Sequence, residues 1–135
     1  MPTFSRIFLG SGAILLLLAT AFGAYGTHAL AARLPAAAWS AYATAVDYQF
    51  YHGLGLLAIA LLGTLSPQLK VLQIAGWLLL SGTLLFCGSI YATSMGAPAG
   101  IGALAPIGGT AFMAGWLAVA SAAWVVGRGP ADPLA

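Results

Sequence analysis

Charge is almost missing from this chain. Four Lys or Arg and two acidic residues make up 4% of it, where soluble domains carry roughly 25%. A water-soluble fold of this composition would expose large apolar patches and aggregate. The formal charge of +2 is small and scattered, which excludes a nucleic-acid-binding surface. A single cysteine, Cys87, excludes an internal disulfide, and inside an apolar segment it reads as a small buried hydrophobe. Two histidines and one carboxylate in an apolar stretch are too small a set for zinc. No glycine-rich phosphate loop leads into a helix with a suitable Lys. No nucleophile elbow surrounds a serine. An enzyme is not expected, and no cofactor is called for.

What the chain does have is hydrophobic residues, 61% of its 135. Hydrocarbon suits that composition, because helices satisfy their own backbone groups there. Four apolar stretches read as spanning helices at about 7–25, 36–65, 71–93 and 106–126, each near the roughly 20 residues a span needs. Together they predict an all-α fold, one four-transmembrane-helix bundle over 1–127, with a disordered tail at 128–135. The second stretch, at about 1.5 Å per residue, is roughly 45 Å long and overshoots a hydrocarbon core of roughly 30 Å. Its first turns, with Trp39 and Tyr42, belong at or outside the interface. Arg6 followed by an apolar run and Ala19-Thr20-Ala21 resembles a signal peptide. The run continues past that point and three more follow, so it is read as a retained first span. Arg6, Lys70 and Arg128 fall on one side and Arg33 on the other, which places both termini in the cytoplasm. Small residues at four-residue spacing, Gly88, Ala92 and Gly96, Ala111 and Gly115, and Ala114, Ala118 and Ala122, are expected at close helix contacts. Those contacts lie within the chain or form a homodimer seam, the first being favoured.

Asp47 is the one acidic residue inside an apolar stretch. Ser40, Thr44, Asp47, Tyr48, Tyr51 and His52 share one helical face, with Trp39, Tyr42, Val46, Phe50 and Gly53 on the other. A polar face is expected to turn toward protein or a wet cavity, since a charge at the bilayer centre costs about 2.5 kcal/mol or more. Tyr48 and His52, four apart, can meet on the helix surface, and Gln49, beside the stripe, can donate across a helix contact. His28 and Arg33, in the first connection, are candidate partners for Asp47. The candidate binding cluster is therefore His28, Asp47, Tyr48, Gln49 and His52. Three readings stay open for it: a structural polar clamp, which is favoured, a proton or ion path through Asp47 and His52, and haem or quinone held by His28 and His52.

Four motifs, taken in order, resemble one family. Gly23-Ala24-Tyr25-Gly26-Thr27-His28-Ala29-Leu30 is similar to its glycine-histidine signature. Thr44-Ala45-Val46-Asp47-Tyr48-Gln49-Phe50-Tyr51-His52 is similar to its second-helix signature. Phe86-Cys87-Gly88-Ser89-Ile90-Tyr91 and Pro106-Ile107-Gly108-Gly109 match two further motifs. The chain thus resembles the YgdD-like small membrane proteins, domain of unknown function 423, from about Phe4 to Val126. Thr27, Cys87 and Ala105 depart from the family pattern, and the last removes a hydroxyl before Pro106. The resemblance implies a four-helix bacterial inner-membrane protein, with no established activity, and carries over His28, Tyr48, Gln49 and His52. The expectation is a non-enzymatic role with lipids, a membrane-protein partner or a second copy.

Overall fold

The structure, a computed structural model, describes residues 1–126; the expected tail at 128–135 lies outside the described residues. Four helices make up most of the described chain: α1 (Thr3–Tyr25), α2 (Ala36–Leu65), α3 (Lys70–Ser94) and α4 (Leu104–Val126). Each is long and apolar enough to cross a membrane. No strand occurs among the described residues. α1 begins at Thr3, ahead of the first apolar run, because nothing between Pro2 and Ile7 breaks the helix.

The ends of the elements follow from local chemistry. Past Tyr25, α1 widens into a π-helical turn, Gly26–Leu30, closed by the Ala31 amide donating to the Gly26 carbonyl at 2.9 Å. Such turns arise where something intrudes on the helical ladder. Here the Tyr42 hydroxyl donates to the Phe22 carbonyl at 2.7 Å, and its ring fills the space where a side chain at Gly26 would lie. Pro35 precedes α2, and Ser66-Pro67 follows it. α3 stops at Gly96, whose φ of +96° suits glycine. The next amide, of Ala97, returns to the Ala92 carbonyl at 2.9 Å.

Consecutive helices pack antiparallel, in the order α1, α2, α3, α4. Glycines set the closest approaches. A Cβ on Gly12 would lie 2.9 Å from the Gly53 carbonyl oxygen, so α1 and α2 meet backbone to backbone. A Cβ on Gly108 would lie 2.5 Å from the Phe86 amide nitrogen and 2.8 Å from the Gly82 carbonyl oxygen, which locks α3 to α4. The Phe8 ring lies on Gly76 of α3. Around it, Leu56, Ile59, Leu72, Ala75 and Leu79 form the apolar core. Leu17, Leu61, Leu84 and Leu117 point outward and are each more than 60% exposed. Such an exterior suits lipid.

Two of the three small-residue rows behave differently from expectation. Gly88 faces open space, and Gly96 ends a helix rather than packing one. In the third row Ala122 is buried, Ala118 half-buried and Ala114 exposed. Gly115 does pack, against Leu78 and Leu79. Spacing alone marks where backbones can approach, and the facing helix decides which rows are used.

Gly108→Ala forces α3 and α4 apart and is expected to lower stability by about 1–3 kcal/mol. Gly88→Ala meets nothing and should stay within about 0.5 kcal/mol. Thermal unfolding in mild detergent compares the two.

Candidate functional site: the inner face of α2 and an aromatic cleft

The buried positions of α2 repeat every seven residues: Tyr42, Gln49, Leu56 and Gly63, with Ala45, His52 and Ile59, and Val46, Gly53 and Ala60 alongside. This face includes Tyr42, Val46 and Gly53, which the polar-stripe reading set on the opposite side, and one member of the stripe, His52. Ser40, Asp47, Tyr48 and Tyr51 of that stripe are exposed, and Thr44 is half-buried. The expectation of an inward stripe is corrected for all of it but His52. Close packing selects the face with small residues, and a hydroxyl needs no inward turn. Thr44 donates to the Ser40 carbonyl on its own helix at 3.0 Å.

Gln49 is 2% exposed and lies between three helices. Its Nε2 donates to the Leu15 carbonyl of α1 at 2.8 Å. Its Oε1 accepts from the Tyr91 hydroxyl of α3, also at 2.8 Å. Seven residues earlier on α2, Tyr42 makes the equivalent bond to α1, at Phe22. The antiparallel register of α1 and α2 is thus held by two donors, two turns apart, each reaching a carbonyl. Tyr91 also packs its ring on Phe22 and Tyr42, with centroids 4.6 and 5.1 Å away.

His52, 5% exposed, faces α4. Its ring lies flat on Phe112, centroids 3.4 Å apart and planes 11° apart. Nδ1 is 2.6 Å from the Tyr48 carbonyl oxygen. Tyr48 meets His52, as the four-residue spacing anticipates, at 5.8 Å between centroids, and stacks on Phe86. α4 approaches α2 here through rings: a Cβ on Gly55 would lie 3.0 Å from the Trp116 ring. Rings hold the two helices apart, and a cleft of about 900 Å³ results. Tyr48, Tyr51, His52, Phe86, Thr110 and Trp116 are among its lining. Tyr51, Met113 and Leu117, also in the lining, are each more than half exposed. The mouth therefore opens on the side of the bundle, toward lipid.

The five candidates do not form one cluster. Tyr48, Gln49 and His52 lie together, on adjacent faces of α2. His28 is exposed in the π turn. In the register that pairs Phe22 with Tyr42 and Leu15 with Gln49, His28 is level with the start of α2. It is therefore roughly 24 Å along the bundle from His52 at about 1.5 Å per residue. One haem cannot take both imidazoles, so that reading is corrected. Asp47 points outward and forms no ion pair among the described residues. Arg33 precedes the first turn of α2 and so sits more than about 17 Å up the helix. In that same register Asp47 is level with Leu17 of α1, inside its apolar run.

Sequence reasoning missed Phe86, Tyr91, Thr110, Phe112 and Trp116. A signal was present: Phe112 and Trp116 are four apart on α4, matching Tyr48 and His52 on α2. Which helix faced which was not readable.

The fold and this face define a small polytopic membrane protein built around a ring-lined cleft and a buried amide bridge. The comparisons place it further. Residues 22–109 match the family model described as "Protein of unknown function (DUF423)". A UPF0382 membrane protein of Bacillus subtilis, YwdK, is 37% identical, over 87% of this chain and 96% of its own length. A UPF0382 membrane protein of Staphylococcus saprophyticus is 42% identical over 83% of this chain and 92% of its own. One of Haemophilus influenzae is 39% identical over 74% and 79%. The chain belongs to the DUF423 family of small membrane proteins, whose descriptions attach no activity to it. No solved structure matches.

Gln49→Leu removes the link to α1 and strands the buried Tyr91 hydroxyl. A loss of about 1–2 kcal/mol is expected in detergent melting. Asp47→Asn, with no partner to lose, should change the same midpoint by no more than about 0.5 kcal/mol equivalent.

Proposed function

We propose that this protein works by non-covalent association within the bilayer, without catalysis, and that the cleft between α2 and α4 takes up a lipid-like molecule. The side opening carries this reading. Its volume of about 900 Å³ is in the range of ligand sites. Its walls are mostly rings, with a few polar atoms, which is the make-up such sites share. The mouth faces the phase in which an apolar ligand would be dissolved. A proton path through Asp47 and His52 has less support, since the carboxylate faces out and the imidazole faces α4. In this reading the protein resides in the bacterial inner membrane. Arg6 and Lys70 lie at one end of the bundle against Arg33 at the other, which favours cytoplasmic termini.

Pyrene, a flat hydrocarbon that accepts energy from tryptophan, tests the cleft through Trp116. In phospholipid nanodiscs, saturable transfer is expected with one site per chain. Thr110→Phe, which fills the cleft without adding an energy donor, should weaken it about tenfold or more without lowering the thermal midpoint. Transfer that never saturates, or is equal in both proteins, rules the reading out.

The orientation is checked separately. Cys87 is buried, so a single added thiol reports cleanly. Thr27→Cys should react with an impermeant maleimide from outside intact cells, and Gln68→Cys only after lysis.

A further inference from the structure

The imidazole at the back of the cleft has a fixed hydrogen-bonding polarity. His52 Nδ1 is 2.6 Å from the Tyr48 carbonyl oxygen. A carbonyl only accepts, so Nδ1 carries the proton and donates. In the neutral ring Nε2 then keeps its lone pair and only accepts. Nε2 has no protein partner among the described residues, yet it is not sealed in. Ser5 Oγ is the one fully enclosed side-chain polar atom without a partner among them. Since His52 is almost wholly buried and lines the cleft, the remaining access to Nε2 leads there. The nearby Thr110 hydroxyl is turned away, donating to the Pro106 carbonyl at 2.9 Å.

We infer that the cleft selects a lipid-soluble phenol, a flat ring whose hydroxyl donates to His52 Nε2. This rests on the proposed reading of the cleft as a lipid-ligand site. A buried acceptor left unpaired costs free energy that a hydroxyl recovers. Ketone, ester and ether oxygens only accept, so they would meet Nε2 lone pair to lone pair. A phenol is a stronger donor than an alkanol. A flat body suits walls formed by Tyr48, Tyr51, Phe86 and Trp116.

The test uses three probes on the full chain in nanodiscs: 4-nonylphenol, its methyl ether 4-nonylanisole, and 1-decanol. Each competes against pyrene. The phenol is expected to displace pyrene at about fivefold lower concentration than the ether, or better. With 15N-labelled histidine, the Nε2 resonance of His52 should be that of an unprotonated nitrogen. It should move with the phenol and stay put with the ether. The chain has two histidines, so His28→Gln assigns the signals. In His52→Phe the advantage of phenol over ether is expected to vanish, whatever the change in pyrene affinity. Equal displacement by phenol and ether, with pyrene binding saturably, overturns this inference and leaves the cleft reading intact. Decanol competing as well as the phenol overturns the ring assignment. Absence of saturable pyrene binding removes both. Should His52→Phe fail to fold, the matched probes on the unaltered chain decide the matter.

Discussion

Gln49 joins three helices with one side chain, and the rest of the bundle is arranged around that bond pair. Where no water reaches, a primary amide must find both a donor and an acceptor on its neighbours. It finds a carbonyl on α1 and a phenol on α3. The Gln49 and Tyr42 bonds to the Leu15 and Phe22 carbonyls share one register, so a slide of α1 that is not a whole turn breaks both together. Polar contacts of this kind are individually weak in membranes, but they are directional. Packing of apolar faces in lipid has no such preference. The glycine approaches at Gly12 and Gly53 then bring the backbones together along the register so chosen.

The fourth helix is attached by a different logic. On α3 it is seated backbone to backbone through Gly108. On α2 it rests on rings, with Phe112 flat on His52 and Trp116 over Gly55. Close approach on one side and ring-width spacing on the other splay α4 from α2. The opening is a result of side-chain size, and it lies where aromatic rings and a single imidazole meet the lipid.

Most hydroxyls in the spans are satisfied on their own helices. Thr20, Thr44, Thr64, Thr83 and Thr110 each donate to the carbonyl four residues back. That habit explains why a polar stripe drawn on α2 misjudged the buried face. Thr44 added to the stripe's apparent polarity, yet its hydroxyl is met on its own helix. Asp47, the one charge in the stripe, faces outward and forms no ion pair among the described residues. The residues that did turn inward were those with reach and two-ended bonding, Tyr42, Gln49 and His52. Tyr42 had been placed at the interface on account of its ring, and Gln49 had been set beside the stripe.

Composition alone settled that this is a helical membrane protein, because a chain with so little charge has no other solvent. Hydrophobic run length was enough to count the spans, since thickness of the hydrocarbon sets how long they must be. The family was legible too, from four short motifs in order. Tertiary structure alone decided which face of α2 is inside, that His28 and His52 are far apart, and that a cleft separates α2 from α4. The reason is physical. Lipid is as apolar as the core, so hydrophobicity does not tell an inward face from an outward one, and only the partner helices do.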